Sequence, residues 1–495
     1  MPPTLPPAHD PPMTDTDLPD YPDLALFVDG AWRDGSGKRE RVLEPATGET
    51  LGEVPHASAR DLDDALAAAA RGFEVWRATP AFERQRVLDD AADRLEADIV
   101  THSINMTREM GKPLAESRAE LTMAIETLRW FGEEGKRAYG RLVPSRSADL
   151  RQMVVREPVG PVVAFMAWNF PAINVMRKVS AALAAGCSIT IKASEETPAT
   201  ALAIVRAFDA AGLPGGVLNA VFGVPDTVSR HLLGAGTAKK LSFTGSAPVG
   251  IHLQKLAAES LARVTLELGG HAPVLVFDDV DPEAVARAAV AAKFRNAGQV
   301  CVSPTRFYVQ DGVHDAFVEA FVKATEAMRV GNGLEENIAM GPLIADRRLP
   351  VMDDLVEDAT RRGARVLCGG TTIEGPGSFY APTVLVDVPE AAKMMNDEPF
   401  GPVAPVARFD DLADGLAKAN RLAAGLSAYA FTRDAARIQA LGTGIDAGMV
   451  GINSFRIHTP ETPFGGVDGS GYGSEASVEG LEVYQRTKVI TETSP

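Results

Sequence analysis

The sequence predicts an α/β protein organised around parallel sheets. From residue 159 onward, short apolar runs of buried-strand character alternate with helical patterns: 162–166, 188–191, 218–222 and 241–243 are each followed by a helix. Repeated βα units of this length place strands side by side in parallel, with helices on both faces. A second series of the same kind starts at 272–278 and 282–297 and continues through 306–309, 364–367 and 448–452. The chain has 495 residues and is 45% hydrophobic, enough for roughly three domain-sized units with a sizeable core.

Taken in order, residues 1–23 are rich in proline and aspartate and read as a disordered tail, within which Met13 offers a shorter start. Leu26-Phe27-Val28 followed by Asp29-Gly30 predicts a strand and tight turn. From Asp61 to Ile104 the apolar spacing is helical, through Leu66, Ala70, Leu88, Ala92 and Leu95. Gly111-Lys112-Pro113 interrupts it before a long helix, Leu114 to Gly135. Residues 140–158 alternate as a ribbon with no core of its own, which wants a partner surface. In the βα region, 173–185 is helical and ends at Gly186. Thr197 is the expected N-cap of a helix that has Pro198 first and runs to Gly212. Helices also follow at 226–234 and 247–261. No internal repeat is evident.

Composition narrows the function. A net charge of −17 argues against nucleic acid or anionic membrane as the main partner. Three cysteines without CxxC spacing, and no signal peptide, suggest a reducing, cytoplasmic setting. No apolar run is long enough to span a membrane, and no His/Cys cluster suggests a metal.

Chemistry concentrates around Phe294 to Arg306. An alanine-rich helix runs into a small-residue turn (Ala297, Gly298), then Cys301, then Pro304. A thiol at such a break can meet both a substrate and a backbone N–H, and the thiolate is the reactive form; a buried structural cysteine is the plainer alternative. Four other groups sit where strands end. Thr244-Gly245-Ser246 opens a helix and suits a pyrophosphate, although its glycines follow G-x-x-x-x-G and a plain turn is equally open. Lys192 and Glu195 suit ribose hydroxyls or form a solvated pair. Glu267, before Leu268-Gly269-Gly270, suits a general base or a merely exposed carboxylate. Asn169, between Trp168 and Phe170-Pro171, suits an oxyanion donor or a turn cap.

Together these segments resemble the aldehyde dehydrogenase superfamily. The matching runs are Trp168-Asn169-Phe170-Pro171, Lys192-Ala193-Ser194-Glu195, Phe243-Thr244-Gly245-Ser246, Glu267-Leu268-Gly269-Gly270, Gly298-Gln299-Val300-Cys301, Glu398-Pro399-Phe400-Gly401-Pro402 and Pro463-Phe464-Gly465-Gly466, in the family's order over about residues 25–490. The resemblance implies Cys301 as nucleophile, Asn169 and the Cys301 N–H as oxyanion donors, and Glu267 as the base for thioester hydrolysis. It implies cofactor contacts from Trp168, Lys192, Glu195, Gly245, Ser246, Glu398 and Phe400. The carboxylate of Glu195 favours a free ribose 2′-hydroxyl, hence NAD, with NADP as the lesser expectation. Among subgroups the likeness is to succinate-semialdehyde and 2-oxoglutarate-semialdehyde dehydrogenases. There Arg177 and Arg295 would clamp the substrate's far carboxylate, with Thr459 adding a hydroxyl. A non-catalytic binding member and a CoA-acylating relative are the competing classes. The implied architecture is a cofactor domain (24–139 and 158–268), a catalytic domain (269–458), and an oligomerisation ribbon (140–157 with 479–495) that makes a homodimer or homotetramer. Asp468 departs from the lysine usual at its position. Ser303 leaves Cys301 without a neighbouring thiol, and Cys187 and Cys368 are expected to be buried.

Overall fold

A computed structural model describes residues 18–493. The expected tail falls outside these residues up to position 17. Over 18–23 the expectation fails: Tyr21 donates to the Glu109 carboxylate at 2.9 Å, its ring lies under the Arg108 guanidinium, and Arg108 donates to the Pro19 carbonyl. One aromatic ring, with a hydrogen bond and a cation–π contact, suffices to seat a segment that composition alone marks as unstructured.

Two sheets carry the molecule. In the first, five parallel strands run in the order Leu218–Val221, Ile189–Lys192, Val162–Phe165, Lys240–Gly245, Arg263–Leu268. The first three are buried along their whole length, which is why they read as continuous apolar runs rather than as alternation. The hairpin Leu26–Val28 and Ala31–Arg33 adds antiparallel at one edge. Its turn residues Asp29 and Gly30 both take positive φ, as a two-residue hairpin turn requires. The other edge receives Gly471–Tyr472, which pairs antiparallel so that Gly471 faces Glu267. The C-terminal segment thus returns to the first sheet beside a candidate catalytic carboxylate.

The second sheet has seven strands, ordered Arg365–Cys368, Thr383–Val386, Val403–Phe409, Pro304–Gln310, Ala272–Val276, Ser427–Phe431, Met449–Ile452; only the first is antiparallel to its neighbour. Cys368 lies on that edge strand and is half-buried, against the expectation of burial, because an edge strand has one side uncovered. Cys187 is fully buried, and burial pushes its thiol up to about 11.

The ribbon comprises Arg141–Val143 and Leu150–Pro158, and Gln485–Thr493 pairs with the longer strand from Gln485↔Pro158 to Thr493↔Leu150. Ribbon and tail therefore complete one another within the chain. Residues 479–482, grouped with the ribbon at the sequence level, instead belong to the helix Ser477–Glu482, which packs against the helices Pro171–Ala185 and Leu114–Glu134.

Two helix starts depart from expectation. Pro198 does begin the helix Pro198–Ala210, but the Thr197 side chain makes no capping bond. The Glu109 carboxylate, from Ile99–Met110, accepts from Ala199 N and Thr200 N at 2.9 Å instead. Glu120, from Leu114–Glu134, does the same for Pro171–Ala185, accepting from Ala172 N at 2.8 Å and Ile173 N at 3.2 Å. A carboxylate at a helix N-terminus satisfies free N–H groups and the helix dipole together.

Candidate active site

The strand ends of the first sheet and the loop that feeds Pro304–Gln310 of the second meet around a chamber of about 410 Å³. Asn169, Glu267, Cys301, Glu398 and Phe400 are among the residues that line it. Five residues from distant parts of the sequence thus line one chamber.

The turn that presents Cys301 is backbone-strained. Asn296, Ala297 and Gly298 all take positive φ (49°, 53° and 73°), a conformation that costs a residue with a Cβ on the order of 1–3 kcal/mol. Gly298 has a second constraint: a Cβ there would stand 2.2 Å from the Gly401 carbonyl oxygen. The turn is held by its own side chains. Asn296 Nδ2 donates to the Asn169 carbonyl at 2.9 Å, and the Asn169 side chain donates to the Gln299 carbonyl at 3.1 Å. Buried Lys112 also donates to the Asn169 carbonyl, at 2.8 Å. Asn169 is thereby fixed beside the cysteine loop, and one amide N–H of its side chain remains for a ligand. Burial, then the Glu398 carboxylate, push the Cys301 thiol up to about 12, with Arg177 and Arg295 opposing. At rest the sulfur is therefore a thiol that needs a base.

Glu267 is 2% exposed, and neither carboxylate oxygen has a hydrogen-bond partner among the described residues. Burial and then Glu475 raise its pKa well above the carboxylate range, against Lys178 and Arg177. Lys178 and Glu475 form a buried ion pair, and Lys178 donates to Thr244 Oγ1 at 2.6 Å. These two charges shape Glu267 and were missed at the sequence level. Glu475 closes the Gly-Tyr-Gly-Ser-Glu run and Lys178 follows Arg177, but their pairing spans 297 positions. Glu398 is wedged into the opposite wall: a Cβ on Gly269 would stand 2.2 Å from its Oε2, and Gly270 N donates to its Oε1 at 3.3 Å. Burial brings Glu398 up to about 8.

A cleft of about 620 Å³ adjoins the chamber through Trp168 and Gly245, and carries Lys192, Glu195 and Ser246 on its walls. Lys192 and Glu195 form an ion pair, and Glu195 Oε1 accepts from Gly223 N at 2.8 Å. Ser246 precedes Ala247–Glu259 without capping it, so that helix's first N–H groups face the cleft free of a side-chain partner. Gly245 is needed because a Cβ would stand 2.4 Å from the Phe243 ring. Trp168 and Phe400 meet edge to face at 5.5 Å where cleft and chamber join. A carboxylate–lysine pair, an uncapped helix start and an aromatic gate, in that order along one groove, fit a dinucleotide with its ribose at Glu195, its pyrophosphate at Ser246 and its second ribose toward Glu398.

On the other side of Cys301 lies a cavity of about 170 Å³ lined by Arg177, Arg295, Glu116, Phe170, His458 and Phe464 among others. The structure therefore brings both predicted arginines to the cysteine. The Arg177 guanidinium lies 3.9 Å from the Phe464 ring centre, and that of Arg295 lies 5.2 Å from the ring centre of Phe170. Thr459 is not brought in. It is exposed and its N–H is taken by Thr462 Oγ1, so its turn points it outward and His458 stands at the cavity instead. Glu116 adds a half-buried carboxyl raised to about 6, chiefly by desolvation.

Residues 32–490 match the aldehyde dehydrogenase family. The chain is 44% identical over 466 residues to a 4-(hydroxymethyl)benzenesulfonate dehydrogenase of Comamonas testosteroni, covering 94% of this chain and 97% of that one. It is 42% identical over 465 residues to the NADP-dependent succinate-semialdehyde dehydrogenase of Escherichia coli, covering 94% and 96%. Among solved structures, an Escherichia coli NADP-dependent enzyme superposes with a TM-score of 0.93 at 41% identity, over 95% of this chain and 98% of that one.

Proposed function

This chain belongs to the aldehyde dehydrogenase family, and from that premise we propose that it oxidises an aldehyde whose far end carries an anionic group, succinate semialdehyde before 2-oxoglutarate semialdehyde. The single observation that carries the substrate class is the cavity behind Cys301, where two guanidinium groups are held by aromatic faces with room between them and the sulfur. The arginines suit a carboxylate or another oxyanion. The two curated relatives above carry names with a sulfonate and a carboxylate-bearing semialdehyde, which supports a shared taste for an anionic tail.

The chain's own groups support a covalent route. Cys301 attacks the carbonyl, and its proton leaves to a base within the chamber. The free amide N–H of Asn169 and the Cys301 backbone N–H hold the oxyanion of the resulting thiohemiacetal. NAD or NADP, when bound along the cleft, supplies the acceptor for the hydride. Cys301 then holds the acyl group as a thioester, and Glu267 takes a proton from the water that hydrolyses it. A carboxylate with no hydrogen bonds of its own has free lone pairs for that water, and this favours hydrolysis over transfer to CoA. Glu195, facing the ribose end of the cleft, favours NAD. The apolar residues Leu142 (71% exposed) and Val489 (61% exposed) on the three-stranded ribbon favour a homodimer or homotetramer joined there.

The test is a steady-state comparison of succinate, 2-oxoglutarate and glutarate semialdehydes with hexanal, each with NAD and NADP. Anion-tailed substrates should win in kcat/KM, with carboxylic acid as product. A preference for hexanal would sink the two-arginine reading, and acyl-CoA formation would sink hydrolysis. Cys301→Ala should abolish NADH production while leaving the fold intact.

A further inference from the structure

The turn that presents Cys301 leaves the helix Pro282–Phe294 in a left-handed conformation, with φ/ψ of 49°/37° at Asn296 and 53°/32° at Ala297. Such a turn persists only where its surroundings hold it, and its N–H groups need acceptors from outside the helix. The acceptor for Asn296 N is Glu116 Oε2, at 2.9 Å and 180 positions away in the chain. The same turn sets the nucleophile. Gln299 N donates to the Asn296 carbonyl at 3.0 Å, the Asn169 side chain donates to the Gln299 carbonyl at 3.1 Å, and Cys301 follows two residues on. Glu116 lies on the helix Leu114–Glu134 four residues before Glu120, so the two carboxylates share a face. Glu120 accepts from Ala172 N, Ile173 N and Lys112 Nζ, and Lys112 also donates to the Asn169 carbonyl. One helix therefore sends a carboxylate to each half of the oxyanion pair, Glu120 to the Asn169 side and Glu116 to the Cys301 side.

We infer that Glu116 is a positioning residue for the nucleophile: its carboxylate holds the Asn296 N–H, and with it the turn that sets Cys301 and the Cys301 backbone N–H against the Asn169 side chain. Glu116 acts through the backbone, so what it supplies is reach rather than charge. The competing role for the same carboxylate is counter-ion to Arg295, with which it lines the cavity behind Cys301. That role needs charge and would act only on substrates with an anionic tail. Positioning instead acts on every aldehyde alike, because the oxyanion forms at the carbonyl whatever the tail carries. The inference rests on the covalent route in which Asn169 and the Cys301 N–H hold the oxyanion.

The experiment measures the single-turnover rate of NADH formation, and its half-saturating aldehyde concentration, for succinate semialdehyde and for butanal, which lacks the tail oxygens. Glu116→Asp keeps the charge and draws the carboxylate back by one methylene. Glu116→Gln keeps the reach and an acceptor oxygen without the charge. In Glu116→Asp the maximal rate should fall by about 10- to 100-fold, the range for a small misplacement of a reacting group, by the same factor on both aldehydes and with little change in half-saturation. Glu116→Gln should retain most of the rate. An unchanged rate in Glu116→Asp, even with a lower unfolding midpoint, would overturn the inference and leave Glu116 a brace of the fold. Equal losses in both variants, or a loss confined to succinate semialdehyde, would overturn it in favour of the counter-ion. Asn169→Ala separates the two levels. If it lowers the rate on both aldehydes and Glu116→Asp does not, only the role of Glu116 fails. If Asn169→Ala itself leaves the rate unchanged, the oxyanion reading fails.

Discussion

Two glutamates stand on opposite sides of Cys301, Glu120 at the smaller cavity and Glu267 in the reaction chamber, and their surroundings could hardly differ more. Glu120, toward the substrate tail, has Lys112 Nζ at 2.6 Å on one oxygen and two helix N–H groups on the other. Glu267, toward the thiol's hydrolytic side, is equally buried and has no hydrogen bond on either oxygen. The first is saturated, and through Lys112 it also pins the Asn169 carbonyl, so it serves as structure. The second is a desolvated acid with free lone pairs, held in a state that costs stability and suits proton transfer. The same side chain becomes a brace or a base according to how many donors the fold brings to it.

Breaking this contrast from each side gives opposite results. Glu267→Gln should reduce kcat by about 10²–10⁴-fold, the usual contribution of a general base. It should not lower the urea midpoint, because no hydrogen bond is lost. Glu120→Gln should do the reverse in kind. It breaks a buried ion pair and leaves Lys112 uncompensated, a loss of about 3–5 kcal/mol, visible as a lower unfolding midpoint with activity reduced through a loosened Asn169. If Glu267→Gln destabilised the protein as much as Glu120→Gln, the distinction between brace and base would be lost.

The sequence made one member of this pair visible and hid the other, for a physical reason. Glu267 sits at a strand end before two glycines, a local pattern, and Cys301 sits at a local helix break. Glu120 lies mid-helix and acquires its role from helix N–H groups 52 and 53 residues away. The Thr197 cap was misjudged the same way: propensity names the nearest hydroxyl, whereas the fold supplies Glu109 from 90 residues upstream. Short apolar strand runs and turn glycines are decided within a few residues, so the two-sheet architecture was legible. Thr459 shows the limit at the site itself, since a one-residue difference in a loop decides whether it or His458 faces the cavity.

The subtlest test concerns what tunes Glu267 once it is left without donors. Burial and the negative charge of Glu475 both favour its protonated form, and Lys178 opposes them. A base acts through its ionised fraction, so hydrolysis should rise with pH until the carboxyl has lost its proton. Glu475→Gln removes a negative charge and leaves Lys178 unpaired, and both changes make ionisation of Glu267 easier. The acid limb of the kcat profile should therefore move to lower pH. The variant should also lose stability, because a buried pair is broken, and that loss is separable by measuring unfolding across the same pH range. A limb that stays in place would mean that desolvation alone sets Glu267, and that the ion pair beside it braces the fold just as Glu120 and Lys112 do at the other end.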